Sequence, residues 1–555
     1  MQVLQQSSPS AVRHPTRTLT WMAVAAATFV AMPIVAIAWI AVSGGDDSWR
    51  HVMTTIVPRA AGRTVELLLL TGLVSAVFGI VTAWLVTTFD FPLRRMLSIV
   101  LVLPLAIPSY LAAYAFGEFF DFTGPLQSGY RALFGFQTSR DYWFPDIRSM
   151  GGAVLVLSSV LYPYIYLACR ATFLMQGRAA ADVARTLGAG PLKVFWRIQM
   201  PMARPAIMVG LSLVMMETMN DIGAVEFLGI NTLTFSVYYT WLNRGSLAGA
   251  AQIACVMLIV VALLILLERM ARRSQKYASN KTTANTNEMA RPRLKGMSAA
   301  TAMALCALPV IPGFLIPVVV MGGFALRRLD AYADPRLLSA LFNSLIVSSA
   351  AAVAAVILGF LLSYAARCER SSGTIIAGRI ASLGYGIPGT VLAIGVLIPL
   401  AGFDNALDGY LRSQAGISTG LLLSGSGFAI IYACTVRFMT MAEGTLDSGF
   451  QKLSPHMDMV SRTLGRTQGQ TLRTVLLPNM KPAMMTAALL VFIETMKELS
   501  ATILLRPFNF NTLATLVYED ASRARIEDSS VAAMIIIAAG LIPTMLVSRS
   551  IDRRR

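Results

Sequence analysis

The sequence predicts an all-α, polytopic membrane protein of about twelve transmembrane helices, arranged as two homologous six-helix repeats, and three observations support this. Of 555 residues, 55% are hydrophobic and only 14% charged, with a mean hydropathy of +0.63, a balance suited to lipid rather than water as the solvent. Twelve apolar stretches recur, separated by short polar segments, each close to the about 20 residues that cross a hydrocarbon core. The second six stretches also repeat sequence marks of the first six at a nearly constant offset.

The first stretch, 21–42, follows a polar segment and is long enough to span rather than to be a cleaved leader, so it reads as an uncleaved first helix. The others in the first half are 64–88, 97–119, 151–175, 205–228 and 246–267. Those in the second half are 299–326, 341–366, 375–400, 420–441, 482–505 and 531–547. Such unbroken apolar runs exclude a transmembrane β-barrel, whose strands alternate.

A net charge of +17 raises the question of a nucleic-acid partner, and the placement of the charge answers it. Lys and Arg collect at span ends: at Arg13 and Arg17, at Arg94 and Arg95, in 177–204, 269–295, 367–379 and 451–481, and at Arg553 to Arg555. With the N-terminus inside, all of these fall on the cytoplasmic side, as the positive-inside rule requires, and so does the C-terminus. Arg327, Arg328, Arg336 and Arg506 are exceptions. The five cysteines, Cys169, Cys255, Cys306, Cys368 and Cys434, show no paired spacing, which excludes a disulfide framework or structural zinc site.

The internal repeat is explicit. Arg185-Thr186-Leu187-Gly188 recurs as Arg462-Thr463-Leu464-Gly465, Pro201 as Pro478, Pro205 as Pro482 and Glu217-Thr218-Met219 as Glu494-Thr495-Met496, all at 462 − 185 = 277. Asn231-Thr232-Leu233 recurs as Asn511-Thr512-Leu513 at 280, and Pro108 as Pro388 also at 280. An even number of spans per unit makes this a parallel duplication. The chain divides accordingly into a first repeat, 1–268, a basic cytoplasmic linker, 269–297, and a second repeat, 298–555.

Each repeat carries one long cytoplasmic loop, 177–204 and 444–481. In the first, 179–187 holds good helix formers, and Gly188-Ala189-Gly190-Pro191 then supplies a left-handed stop and a proline suited to opening a second helix. That second helix mixes Leu192, Val194, Phe195 and Ile198 with Lys193 and Arg197, and Pro201 is expected to stop it. A bent amphipathic element carried twice on the cytoplasmic face suits docking into a groove of a soluble partner, or a resting place on lipid headgroups.

The stretch Asp182 to Gly188, with Pro201 thirteen residues after the glycine, resembles the EAA loop of type I ABC importer permeases. The resemblance implies an ATPase-coupling role for Asp182, Ala184, Arg185, Leu187, Gly188 and Pro201, and in the second copy for Arg462, Leu464, Gly465 and Pro478. Asp182 stands where the family has Glu, and Met459-Val460-Ser461 where it has Glu-Ala-Ala. Leu103 to Tyr110, Ser382 to Thr390 and Lys497 to Phe508 are similar to the fused ferric-iron permeases, a likeness running from about Arg63 onward. It implies import of ferric iron across the bacterial inner membrane, with a periplasmic binding protein and two copies of an ATP-binding subunit as partners. Fused thiamine and phosphonate permeases resemble this group, so those cargoes are the alternatives.

No Gly-x-x-x-x-Gly-Lys-Ser/Thr phosphate loop occurs. The chain is therefore expected to be no enzyme and to hold no cofactor, ATP and magnesium being bound by the partner ATPase. A gradient-driven secondary transporter is the weaker alternative, having no use for two docking loops.

Charges inside spans are costly and mark function. Glu217 with Asp221, and Glu494 with Glu498, are each four apart and would share a helical face, lining a path for a cation. Their carboxylates suit a hard ferric ion better than the thioethers of Met215, Met216 and Met219, which read as packing. The same acids could instead pair with Lys497 or Arg506, or cap a broken helix. No metal site is assigned beyond these four candidates.

Overall fold

The computed structural model describes residues 17–43, 46–175, 183–184, 186–273, 291–369, 371–454 and 456–552. The principal helices of the first half are α1 (Arg17–Ser43), α2 (Val57–Thr88), α3 (Arg94–Val100), α4 (Ser109–Phe120), α5 (Met150–Met175), α6 (Met200–Asn220), α7 (Gly223–Phe227), α8 (Leu233–Leu242) and α9 (Leu247–Arg273). The second half runs α10 (Met297–Val310), α11 (Ile316–Arg327), α12 (Pro335–Cys368), α13 (Ser372–Ala381), α14 (Gly389–Ala415), α15 (Phe428–Lys452), α16 (His456–Thr463), α17 (Leu477–Met496), α18 (Thr502–Leu505), α19 (Leu513–Ser522) and α20 (Ser530–Asp552).

All twelve apolar stretches are helical over most of their length, and among the described residues nine helical segments are long and apolar enough to cross a membrane unaided. The other three stretches depart for readable reasons. The stretch 97–119 is broken by Pro104 and Pro108 into a pair bent by 97°. In the stretch 420–441 the Gly-Ser run 424–427 delays the helix, so α15 starts at Phe428 and continues to Lys452, inside the loop expected from 444. The last stretch lies in α20, of which Ser530–Ile542 is the apolar part within the described residues.

The two halves are built alike. α2, α5 and α6 pack together in the first, and α12, α15 and α17 in the second. The first helix of each half reaches into the other half while keeping a contact in its own. α1 lies against α9 and also against α12, α13 and α14; α10 with α11 lies against α2, α3 and α4, and α11 also against α20. The Tyr432 hydroxyl donates to the carbonyl of Phe29 at 2.7 Å, and a Cβ at Gly395 would stand 2.3 Å from the Pro33 carbonyl oxygen, so only glycine admits this approach.

Pro201 and Pro478 do not end the loop helices, contrary to the expectation for Pro201. The helix runs on from Pro191 to Asn220, and from Gln468 to Met496, through a wider i→i+5 turn at Phe195–Gln199 and at Leu472–Leu476. The other two wide turns among the described residues, Val52–Ile56 and Ile311–Leu315, likewise end two residues before a proline, Pro58 and Pro317. A proline lacks the N–H of the ladder and crowds the carbonyl four residues back; widening the preceding turn relocates that carbonyl and the span continues.

Candidate functional site

Two regions carry the chemistry: a cavity between the halves and the pair of bent loops. The cavity, about 80 Å³, is lined from the first half by Ser109, Tyr110, Glu217, Asn220 and Asp221 among others, and from the second by Arg437, Glu494, Lys497, Glu498 and Ser500. Its position follows from where the two innermost helices stop. α6 ends at Asn220 and α17 at Met496, and each is followed by a short helix, α7 or α18.

The acids therefore do not share helical faces as the four-residue spacing suggested, since Asp221 and Glu498 lie beyond the helix ends. Asp221 accepts the amide of Ala224 at 2.7 Å and the hydroxyl of Ser109, capping α7. Glu498 accepts the amides of Ala501 at 2.8 Å and Thr502 at 3.0 Å and the Thr502 hydroxyl at 2.7 Å, capping α18. Side-chain oxygens here satisfy first-turn N–H groups that have no partner within the helix. The longer acid goes with the smaller neighbour. At the position of Ser109 the second half has Gly389 (389 − 109 = 280), where a Cβ would fall 2.9 Å from Oε1 of Glu498.

Glu498 also accepts from Nη1 of Arg437 at 2.9 Å, with the two side chains only 2% and 6% exposed. Sequence reasoning passed over Arg437, although a charge inside the apolar run 428–441 was a visible signal. Its first-half counterpart is Val160 (437 − 160 = 277). Glu494 pairs with Lys497 at 2.8 Å, whereas Arg506 turns to Glu519 at 3.4 Å. Glu217 accepts the Tyr385 hydroxyl at 2.6 Å. Among the described residues, no group of three or more His, Cys, Asp or Glu side chains could hold a metal ion.

Hydrogen bonds join the halves around this cavity. Oδ1 of Asn220 accepts the amide of Gly389 at 2.7 Å, and its carbonyl accepts the Ser500 hydroxyl at 2.8 Å. Beyond it, Tyr238 and its repeat counterpart Tyr518 (518 − 238 = 280) bring their hydroxyls within 3.2 Å, and Tyr518 donates to Glu226 at 2.6 Å. Symmetry-related side chains touch only near a twofold axis, so this contact marks the pseudo-twofold axis of the duplication.

In the loops, Gly188 and Gly465 have φ of +83° and +79°, the left-handed stop the sequence required. Pro191 opens the next helix in the first copy; in the second, Thr467 caps it reciprocally with Gln470. Leu187 and Leu464, the residues before the glycines, are 82% and 74% exposed, and Ala184 is half-buried. Arg462 is exposed as well. Asp182 and Arg185 lie outside the described residues. Arg367 fastens the second loop: it pairs with Asp458 at 2.9 Å and donates to the carbonyls of Phe450 and Ser454.

A family described as binding-protein-dependent transport system inner membrane component matches the chain twice, over residues 75–276 and 355–555. The Fe(3+)-transport system permease protein FbpB 2 of Haemophilus influenzae is 25% identical over 85% of this chain and 86% of its own. The molybdenum transport system permease protein ModB of Escherichia coli is 30% identical over 37% of this chain and 90% of its own. The sulfate transport system permease protein CysW of Escherichia coli is 29% identical over 39% of this chain and 74% of its own.

Proposed function

The chain belongs to the family of binding-protein-dependent transport system inner membrane components, and on that premise we propose that it is the permease subunit of an ATP-driven importer of ferric iron. It is an integral inner-membrane transport subunit of that family and not an enzyme. Its cargo arrives on a periplasmic binding protein, and two copies of an ATP-binding subunit, which hold the ATP and magnesium, dock on the loops 177–204 and 444–481. Both termini are cytoplasmic in this reading, and the segments 1–268, 269–297 and 298–555 are first repeat, linker and second repeat.

The observation that carries the ferric reading is the charge of the cavity between the halves. Among the described residues that line the cavity, Glu217, Asp221, Glu494 and Glu498 stand with Arg437 and Lys497, so formally 4 − 2 = 2 negative charges are left over. A cation is favoured there over an oxyanion, and carboxylate oxygens suit a hard ferric ion. Of the three relatives described, the one that matches across both repeats is named for Fe(3+).

Alternating access then needs two motions. Closure of the ATPase dimer moves the exposed loops at Leu187 and Leu464; the helices that run unbroken from them to Asn220 and Met496 carry that motion to the cavity. The test is uptake of radiolabelled ferric iron by cells with and without the chain, with thiamine, phosphonate, sulfate and molybdate in parallel. Loss of iron uptake alone supports the ferric reading. Loss of another cargo instead discards it and leaves the family assignment standing.

A further inference from the structure

The repeat leaves Lys497 without a basic counterpart. Glu217 and Glu494 correspond at 494 − 217 = 277, but three residues on the first half has Asn220 where the second has Lys497. The two acids are satisfied differently as a result. Glu217 accepts a hydroxyl from Tyr385 of the other half, while Glu494 has the Lys497 ammonium at 2.8 Å. Asn220 is committed to the bonds with Gly389 and Ser500 that join the halves.

The two ion pairs of the cavity also differ in kind. Arg437 and Glu498 are sealed, and Glu498 has three further donors that fix it in place. Glu494 and Lys497 keep 22% and 21% exposure of their side chains, both line the cavity, and Lys497 has no second acid partner among the described residues. A pair of this spacing on one chain segment, partly open to the cavity, is held loosely enough to open. The four-carbon stem of lysine lets the ammonium swing away without moving the backbone.

We propose that Lys497 is a tethered counter-ion: in the empty cavity its ammonium occupies Glu494, and a cationic cargo displaces it, drawing on Glu494 and Glu217. This rests on the reading of the cavity as the cargo path. It makes Lys497 a specificity residue, because any cation entering must outcompete an ammonium held at 2.8 Å. A multivalent ion does so and an ambient monovalent one does not. When the cargo leaves, the lysine returns and the acid is never left bare.

The probe is terbium(III), a hard trivalent ion, titrated onto the purified full chain in lipid nanodiscs and read by luminescence sensitised through nearby aromatic rings. Removing the competing charge in Lys497→Met should tighten binding by roughly tenfold. Lys497→Arg should stay near wild type, and Glu494→Gln should lose saturable binding. In cells, Lys497→Met should lower both KM and kcat for ferric iron uptake, because cargo enters easily and leaves slowly. Terbium binding to Lys497→Met that is equal to, weaker than or absent relative to wild type overturns the proposal; Lys497→Gln repeats the test should the methionine variant not fold. If uptake of another cargo, and not of iron, depends on the chain, the ferric reading falls while the terbium titration still decides the role of Lys497.

Discussion

Replacing Arg437 by methionine strips the sealed ion pair of its cation while keeping most of the side-chain volume. Breaking a buried pair from one side costs about 3–5 kcal/mol, because the remaining charge stays desolvated. Glu498 keeps the Ala501 and Thr502 amides and the Thr502 hydroxyl, which places the cost at the lower end, about 3 kcal/mol. Neutralising the survivor should recover most of that, leaving about 1 kcal/mol for the weakened cap of α18. The assay is thermal unfolding of the purified chain, followed by tryptophan fluorescence, for Arg437→Met, Glu498→Gln and the double variant. The single arginine variant should melt several degrees below wild type and the double should regain more than half of the loss. Strictly additive effects would refute the reasoning, since two residues bonded at 2.9 Å must couple.

Other expectations are simpler. At Gly465 no atom lies within 4 Å of the point where a Cβ would stand, so Gly465→Ala should act through backbone strain alone, about 1 kcal/mol. It should reduce binding-protein-stimulated ATPase activity, with Gly465→Asn milder; the same order is expected at Gly188. Tyr518→Phe removes the donor to Glu226 and the contact with Tyr238, costing about 1 kcal/mol of cohesion between the halves. Raised ATPase activity without binding protein would show it; unchanged basal activity would argue that this contact does not hold the halves together. Finally, the halves expressed as two polypeptides divided within 274–290 should still copurify, because α1 and α10 are each embedded in the other half; separate elution would contradict the exchange.

The sequence made the repeat and the loop geometry legible because both depend on local chemistry. Gly188 before Ala-Gly-Pro reads as a left-handed stop and has φ of +83°, and its repeat counterpart Gly465, followed by Arg-Thr-Gln, has φ of +79°. Helix spacing misled at Asp221 and Glu498, because where α6 and α17 end is decided by packing between halves rather than by a breaker in the sequence. Pro201 misled for a related reason: a proline removes one hydrogen bond, but a single wide turn repairs the damage. The exchange of α1 left no trace at all. Its small apolar residues Ala23, Ala26, Ala27 and Val30 are buried in a helix that packs on elements of both halves, and nothing in their pattern names the partners.

That exchange gives the protein a birth order. Between Ser43 at the end of α1 and Ser372 at the start of α13 lie 372 − 43 = 329 positions of synthesis, roughly 20–60 s at ribosomal speed. Through that interval α1 can already rest on α9, but the face that meets the second half stays turned to lipid. Alanine and valine cost nothing there, whereas a polar contact face would have been stranded. The first helix made docks in two stages, on its own half and then on the second, and the plain composition of its second face is what allows that face to wait.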